Sequence, residues 1–279
     1  MQTRHQSFVW GKRTYIMGIL NVTPDSFSDG GDFSTPEKAL IQAEKMVEAG
    51  VDIIDIGGQS TRPGAEIVSL EIELSRVLPV VKLLRNQSKI FAEIPISVDT
   101  TRAIVAQKAV EAGADWVNDI SGATYDSEML SVVAALQVPI ILMHIRGTPQ
   151  TMQKLTDYQN LIGEIYQFLQ SRIEAAIAAG IDKSKITIDP GIGFAKNYAQ
   201  NLEIMRNLSK FKSLNCPILV GLSRKSFIGQ ILNQPDPKQR VWGTAGACVA
   251  AIAQSVDILR VHDVKEMSEV CLVADTILR

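Results

Sequence analysis

The segment Glu48-Ala-Gly-Val-Asp-Ile-Ile-Asp-Ile-Gly-Gly58 contains the pattern on which the fold depends. A glycine in its third position can adopt the left-handed conformation that ends a helix. A short isoleucine-rich run follows, and such runs are typical of strands buried inside a parallel sheet. The final glycines begin an irregular stretch. The segment therefore predicts a helix end, a buried strand and a loop in direct succession.

The same helix-end pattern returns in Glu111-Ala-Gly-Ala-Asp115 and Ala178-Ala-Gly-Ile-Asp182. Three such turns favour one architecture repeated along the chain, although Ala-Gly-x-Asp is also a common way to end any helix. The predicted strands are Ile16–Leu20, Ile53–Ile56, Pro95–Val98, Trp116–Val117, Pro139–Met143, Ile186–Ile188, Pro217–Val220 and Ile258–Val261. Helical spacing is seen in Glu37–Glu48, Leu70–Arg85, Arg102–Glu111, Tyr158–Ala178 and Gly243–Gln254.

Eight strands, each followed by a helix, are typical of the (β/α)8 TIM barrel, and 279 residues is a usual length for it. We therefore predict an α/β chain that forms a single barrel domain over residues 1–279. A doubly wound open sheet is the alternative, but the chain has no early Gly-x-Gly-x-x-Gly fingerprint. The irregular stretches Val22–Thr35, Gly57–Ile67 and Arg146–Thr156 follow strands 1, 2 and 5, on the side where barrel enzymes carry their active sites.

The composition is that of an ordinary globular protein, with 46% hydrophobic and 21% charged residues. A net charge of −2 argues against a nucleic-acid partner, which requires a basic face. Every apolar stretch is much shorter than the roughly 20 residues of a membrane helix. The three cysteines are widely spaced, as in proteins that keep reduced thiols. These features predict a cytoplasmic protein with small-molecule ligands and no membrane contact.

Polar side chains follow nearly every predicted strand. One residue alone has a simple structural explanation: Asp99 could cap the helix near Arg102, and Asp189 could belong only to a turn. Many such residues at one end of a barrel instead favour a binding site. The set comprises Asn21, Asp99, Asn118, Asp119, His144, Asp189, Lys225, Arg260 and His262.

The residue types at these strand ends suggest the ligand. Carboxylates and amides match the donor and acceptor edges of a flat heterocycle. Cationic residues supply an anion site near the loops after strands 7 and 8, where barrels often hold phosphate: Arg62, Arg224, Lys225, Arg260 and His262. Mg²⁺ suits a pyrophosphate, and Asn21 is the candidate ligand, although an asparagine bonded to its own turn fits the spacing equally well. The pattern predicts a polar heterocycle linked to phosphate or pyrophosphate.

Two long segments, Gly18–Gly30 and Asp55–Gly64, resemble signatures of the dihydropteroate synthases. Shorter matches follow in the same order, at Ser97–Thr100, Val117–Gly122, Met143–Met152, Asp189–Phe194, Gly221–Gly229 and Arg260–Val264. The resemblance covers almost the whole chain. It implies a Mg²⁺-dependent, homodimeric transferase of folate biosynthesis. Such an enzyme condenses 6-hydroxymethyl-7,8-dihydropterin pyrophosphate with 4-aminobenzoate to 7,8-dihydropteroate and releases pyrophosphate.

The resemblance also implies roles for individual residues. The pterin ring would contact Asp99, Asn118, Asp189 and Lys225, with Met143 and Phe194 as apolar neighbours. The pyrophosphate and its Mg²⁺ would be held by Asn21, Arg260 and His262. The 4-aminobenzoate site would be formed by Phe27, Thr61, Arg62, Pro63 and Ser226. Of these, the catalytic residues would be Asp99, Asp189 and Lys225.

One residue departs from the family pattern, because the second signature most often carries glutamate where this chain has Gln59. The exchange removes a charge but keeps the size and an acceptor oxygen, so it weakens only an acid–base role there. Two other functions share the strand-end residues. One is methyl transfer from methyltetrahydrofolate to a corrinoid protein, which needs no pyrophosphate site. The other is a non-catalytic pterin-binding relative, which needs no intact 4-aminobenzoate loops.

Overall fold

The three glycine turns end helices, as the sequence predicts. In the computed structural model, which describes residues 1, 6–23, 35–62, 64–87 and 89–279, Gly50, Gly113 and Gly180 have φ angles of +84°, +119° and +99°. Glycine adopts this left-handed conformation without the steric cost of a Cβ. Each turn therefore reverses the chain from a helix into the next buried strand.

Eight parallel strands form the predicted (β/α)8 barrel. They are β1 (Tyr15–Asn21), β2 (Ile53–Gly57), β3 (Ile96–Asp99), β4 (Trp116–Asp119), β5 (Ile140–Met143), β6 (Ile186–Asp189), β7 (Leu219–Gly221) and β8 (Ile258–Val261). They are hydrogen-bonded in the order β6-β5-β4-β3-β2-β1-β8-β7. Just before β7, a single parallel bridge between Ile188 and Ile218 closes the ring, and the Ile188 nitrogen donates to the Pro217 carbonyl oxygen at 3.0 Å. The barrel prediction is confirmed.

Helices surround the barrel. They are α1 (Thr35–Glu48), α2 (Leu70–Gln87), α3 (Lys89–Glu93), α4 (Ala103–Glu111), α5 (Met129–Leu136), α6 (Leu161–Ala178), α7 (Tyr198–Arg206), α8 (Ser226–Leu232), α9 (Val241–Ala253) and α10 (Val264–Leu278). The sequence prediction started α6 too early, at Tyr158. The helix begins at Leu161 because Asn160 caps it by accepting a hydrogen bond from the backbone of Gly163, and Tyr158 remains in the preceding loop.

Side chains that alternate along the strands face the barrel interior, and their character changes from one end to the other. The amino-terminal half holds an apolar cluster made of Phe8, Tyr15, Met17, Ile53, Trp116, Ile141, Leu219 and Ile258. Two residues after Ile53, the interior position holds Asp55, while Ile54 and Ile56 pack outward against helices. The barrel is therefore sealed at its amino-terminal end and polar at its carboxyl end.

Aspartates at the amino-terminal end explain part of the sequence repeat. Asp52 accepts a hydrogen bond from the backbone nitrogen of Ile16 at 2.8 Å, and Asp115 accepts one from Ile96 at 2.9 Å. Each carboxylate thus binds a backbone amide at the start of the neighbouring strand. Asp182 differs, because it accepts from the backbone of Ser184 within its own turn. Two of the three aspartates therefore stabilise strand pairing, at the end opposite the predicted site.

Candidate active site

Four interior side chains form a connected network at the carboxyl end of the barrel. Arg260 on β8 donates from Nε to Asp55 on β2 at 2.6 Å, and from Nη2 to Asp99 on β3 at 2.7 Å. Asn118 on β4 donates from Nδ2 to the same Asp55 oxygen at 3.0 Å. Charge-assisted bonds of this kind are short and directional. They fix the orientation of Arg260 and Asn118 before any ligand binds.

Asp55 is the residue of this network that the sequence analysis did not select. It is fully buried, with 0% of its surface exposed, and Oδ1 has no hydrogen-bond partner in the described part of the chain. Because its amide donates to Asp55, Asn118 presents its carbonyl oxygen to the rest of the pocket. The sequence did contain a signal for Asp55, because it is the only charged residue in an apolar strand and lies two residues before the end of that strand.

Asp99 is free to serve the pocket because another residue caps the helix that follows it. The backbone nitrogen of Ala103, at the start of α4, donates to Asp126 at 2.7 Å. The structural explanation of Asp99 as a helix cap is therefore wrong. Burial raises the pKa of Asp99 to about 7, while the nearby Arg260 guanidinium opposes that shift. Such a carboxylate can change its protonation near neutral pH.

Asp189 and Lys225 lie on the opposite side of the mouth. Asp189 Oδ1 accepts from the backbone of Gly191 at 2.7 Å, so the turn explanation holds for one of its two oxygens. Burial raises the pKa of Asp189 to about 6 and lowers the pKa of Lys225 to about 8. The Lys225 ammonium lies 4.3 Å from the centre of the Phe194 ring. These two charges are placed to bind polar edges of a ligand.

Apolar side chains form the wall between Asn118 and Asp189. Met143, at the end of β5, belongs to a buried cluster against which Phe194 packs. The other members of that cluster are Ile120, Ile145, Met152 and Ala195. A flat ring bound by polar groups at its edge requires such apolar surface against its faces. The structure therefore brings both predicted apolar neighbours to the mouth.

His144 follows β5 but has a structural role. Its ring packs edge-on against Phe168, with 4.9 Å between ring centres. Its Nδ1 lies 2.9 Å from Nζ of Lys196, a lysine that is itself buried. Burial lowers the pKa of His144 to about 2. The imidazole is therefore neutral at physiological pH and belongs to the layer between barrel and helices.

Two residues of the predicted cationic group contribute less charge than expected. Arg224 forms an ion pair with Asp263, with Nη2 and Oδ1 2.5 Å apart. His262 is neutral, because burial and the charge of Arg224 lower its pKa to about 3. Its Nδ1 lies 3.0 Å from the hydroxyl of Ser223. The sequence predicted a cationic His262, whereas the lowered pKa favours a neutral imidazole that contributes hydrogen bonding.

The second loop, residues 58–69 between β2 and α2, carries Thr61 and Arg62. Thr61 is half-buried and Arg62 is exposed, and the charge of Arg62 contributes to the lowered pKa of His262. Ser226 is exposed at the first position of α8. Arg62 therefore lies near His262, while Thr61 belongs to the loop after β2 and Ser226 begins the helix after β7. The predicted contacts Phe27 and Pro63 lie outside the described residues.

Asn21 ends β1 beside Gly57 and Asp99. A Cβ on Gly57 would lie 3.4 Å from Asn21 Oδ1 and 3.7 Å from Asp99 Cβ, so the glycine leaves an open space between these side chains. Mg²⁺ usually takes one or two protein oxygens and keeps several waters. Within the described ranges, no group of three or more acidic, histidine or cysteine ligands is present.

Comparison with known proteins agrees with this geometry. Residues 17–262 match the family model of the pterin binding enzymes. The chain is 59% identical to a dihydropteroate synthase of Synechocystis over 98% of its own length and 93% of that protein. The chain belongs to the dihydropteroate synthases. They are transferases.

Solved dihydropteroate synthases have the same fold. The Clostridium difficile enzyme, determined in the presence of pteroic acid, is 45% identical with a TM-score of 0.91, and the match covers 98% of this chain and all of that chain. The Xanthomonas albilineans enzyme with 4-aminobenzoic acid is 42% identical with a TM-score of 0.88, over 95% and 93% of the two chains. Among the described residues, no helix has the length and apolarity needed to cross a membrane.

Gln59, the departure from the dihydropteroate synthase pattern, has a structural contact. Its Oε1 accepts a hydrogen bond from the backbone nitrogen of Val68 at 3.2 Å. A glutamate in this position would offer the same acceptor. The exchange therefore preserves the hydrogen bond that joins the two ends of the second loop.

Proposed function

We propose that this chain joins 6-hydroxymethyl-7,8-dihydropterin pyrophosphate to 4-aminobenzoate, with the pterin ring held between Asp99, Asn118 and Asp189. The observation that carries this proposal is the interior network in which Arg260 and Asn118 are held by Asp55. Its oriented amide and carboxylates complement the donor and acceptor edge of an amino-pyrimidinone. The complexes of related enzymes with pteroic acid and 4-aminobenzoic acid support the same pair of ligands.

The reaction needs no protein nucleophile, because the arylamine of the second substrate attacks the exocyclic methylene carbon of the pterin. The protein has to hold the two reactants in line and stabilise charge that separates as pyrophosphate leaves. Asp99 and Asp189 would stabilise positive charge on the ring. Arg260 and Arg62, with the neutral His262 as a hydrogen-bonding partner, would stabilise negative charge on the leaving group.

Asn21 is the residue proposed to hold Mg²⁺, through its side-chain oxygen in the space that Gly57 leaves open. When bound, the ion would neutralise part of the pyrophosphate charge and so improve it as a leaving group. The chain's own residues would still orient the pterin, because Asp99, Asn118 and Asp189 lie in the interior of the barrel. Removal of the ion should therefore affect turnover more than binding of a pterin that lacks phosphates.

The test of the proposed function is incubation with dihydropterin pyrophosphate, 4-aminobenzoate and Mg²⁺, followed by measurement of pyrophosphate and of product mass. We expect stoichiometric pyrophosphate and a product with the mass of dihydropteroate. Methyl transfer from methyltetrahydrofolate to a corrinoid protein would release no pyrophosphate. A non-catalytic relative would bind the pterin without turnover. Either outcome would contradict the proposal.

Arg260→Ala should weaken the binding of the pyrophosphate substrate at least about tenfold more than the binding of a pterin without phosphates, since buried charge-assisted contacts are worth about 1.5–3 kcal/mol each. Isothermal calorimetry with both ligands measures the difference. Arg13→Met is the matched control, because Arg13 pairs with Asp52 at the opposite end of the barrel and both affinities should be retained. Equal losses for both ligands in Arg260→Ala would make Arg260 a contact of the ring or a structural residue.

Pterin binding should depend on pH through the two raised carboxylate pKa values. As the pH falls from 8 to 5, Asp99 and then Asp189 gain protons, because burial raises their pKa values to about 7 and about 6. A protonated carboxyl loses acceptor capacity, so pterin affinity should fall over this range. Calorimetry with a pterin analogue at several pH values measures the effect. Asp189→Asn should remove the lower of the two steps, and an unchanged pH profile in that variant would exclude Asp189 as its source.

We propose that the chain forms a homodimer and that the exposed apolar surface of α9 and α10 is the interface. Trp242 is 76% exposed and Ile277 is 74% exposed, and a cavity between these helices is lined mainly by apolar side chains. A surface of this kind usually marks a protein interface. Ile277→Asp should therefore produce monomers in light scattering, whereas Ile104→Asp on α4 should not.

The buried free thiols of Cys216, Cys248 and Cys271 support the proposed cytoplasmic location.

A further inference from the structure

Glu73, on α2, is a buried carboxylate outside the pterin pocket. Only 3% of its surface is exposed, although glutamate is almost never fully buried unless it is paired. Its Oε1 accepts a hydrogen bond from the Thr100 hydroxyl at 2.6 Å, and its Oε2 accepts one from Arg102 at 2.5 Å. Thr100 directly follows Asp99 in the chain. Glu73 therefore joins α2 to the end of β3, next to the proposed pterin contact.

Arg102 extends this network to the far end of the second loop. Its Nη2 donates to the carbonyl oxygen of Val68 at 2.6 Å, and the Val68 nitrogen donates to Gln59 at 3.2 Å. At the near end of the loop, Arg76 donates to the carbonyl oxygen of Gly58 at 2.9 Å. Both ends of the loop are thus held by side chains, and Arg102 connects one of them to Glu73.

The packing at Gly58 is a second, independent observation. A Cβ at this position would lie 3.2 Å from Glu73 Cγ, 3.2 Å from the Glu73 carbonyl oxygen and 2.8 Å from a Val77 methyl group. Even the smallest side chain would push the loop away from α2. The first turn of the second loop therefore lies directly on Glu73, and the loop base and the carboxylate form one packed unit.

We propose that Glu73 is a positioning residue for the arylamine site: by holding the base of the second loop, it keeps Thr61 and Arg62 at the pocket mouth. The inference rests on the proposed function, in which this loop contributes to 4-aminobenzoate binding. A loop that is loose at its base must be ordered when the ligand binds, and that ordering reduces affinity. Glu73 itself contacts no substrate.

The stability of the ion pair does not by itself explain its presence. Desolvation of a buried carboxylate and guanidinium offsets most of their attraction, and apolar residues of similar volume often stabilise a fold as well or better. Apolar residues would not replace the hydrogen bonds, however. Only the charged pair joins Thr100, Arg102 and Val68 at fixed distances. The network therefore couples the end of β3 to the loop in a way that apolar packing would not.

Glu73→Gln tests the inference, because it keeps the size and the Thr100 contact and removes the ion pair with Arg102. The KM for 4-aminobenzoate should rise about five- to tenfold, as expected when one or two side chains must be immobilised on binding. Turnover at saturation and pterin affinity should stay within about twofold of the unmodified protein. Arg102→Met should raise the KM for 4-aminobenzoate in the same way. Arg102→Lys, which keeps the charge, should raise it less.

The matched control is Asp115→Asn, which removes another buried ion pair, with Arg85, at the opposite end of the barrel. It should lower the thermal stability and leave the KM for 4-aminobenzoate unchanged. Amide hydrogen exchange of residues 59–70, measured without substrates, should accelerate in Glu73→Gln and not in Asp115→Asn. Because exchange needs no turnover, it tests the loop attachment even if the chain transfers no arylamine. Unchanged exchange, or equal losses for pterin and 4-aminobenzoate, would overturn the inference.

Discussion

Asp99→Asn should reduce turnover about 10²–10³-fold, the usual loss when one preorganised group that stabilises transition-state charge is removed. The substitution keeps the shape of the side chain and an acceptor for Arg260, but it removes the negative charge beneath the ring. A charge that acts mainly on a developing cation contributes more to the transition state than to the ground state. Pterin affinity, measured by calorimetry, should therefore fall much less than turnover, measured by pyrophosphate release.

The same variant addresses the order of events. If pyrophosphate leaves first and forms a resonance-stabilised pterin cation, labelled pyrophosphate should exchange into the pterin substrate without any arylamine. Asp99→Asn should slow that exchange in parallel with turnover. Gln59→Glu is the control and should change the exchange rate only modestly, because glutamate retains the acceptor for Val68. Absence of exchange in the unmodified protein at saturating Mg²⁺ would exclude the stepwise route in favour of direct displacement.

Asp189→Ala should weaken pterin binding by about 1–3 kcal/mol, because N–H donors of the buried ligand would lose their acceptor. This corresponds to roughly five- to 150-fold in the dissociation constant. Calorimetry with a pterin analogue measures it. Asp189→Asn separates a loss of the ligand contact from a loss of the turn, since its amide oxygen can still accept from Gly191 and hold the turn. Unchanged affinity in Asp189→Ala would remove the residue from the pterin site.

Asp189→Asn should also stabilise the protein without ligand. Burial raises the pKa of Asp189 to about 6, so the folded state binds a proton more tightly than the unfolded chain does. Stability contributed by this group is therefore present at low pH and is lost as the pH rises through about 6. At pH 8 the amide should gain about 1–3 kcal/mol in the free energy of unfolding, and near pH 4 the gain should vanish. Thermal unfolding at the two pH values checks the sign.

The sequence by itself predicted the barrel and most residues at its mouth. Glycines such as Gly50 and Gly113 end helices through backbone conformation alone, and short apolar strands follow them directly. These are local properties, so they can be read from neighbouring residues. The carboxyl ends of parallel strands necessarily meet at one end of a barrel. That geometry is why the sequence alone predicts that Asp99, Asn118 and Asp189 lie together at one end of the barrel.

Only the tertiary structure decided which polar residues serve the pocket and which serve the fold. His144 packs outward and Arg224 is paired with Asp263. Successive side chains of a strand point to opposite faces, so a shift of one residue decides whether a side chain faces the pocket. Asp55 joins Arg260 across 205 positions of sequence, and Glu73 reaches Thr100 across 27. Such pairs depend on burial and on distances between strands that neighbouring residues do not reveal. The pKa values also depend on the tertiary structure: burial and the neighbouring charge of Arg224 lower that of His262 to about 3, and burial, opposed by Arg260, raises that of Asp99 to about 7.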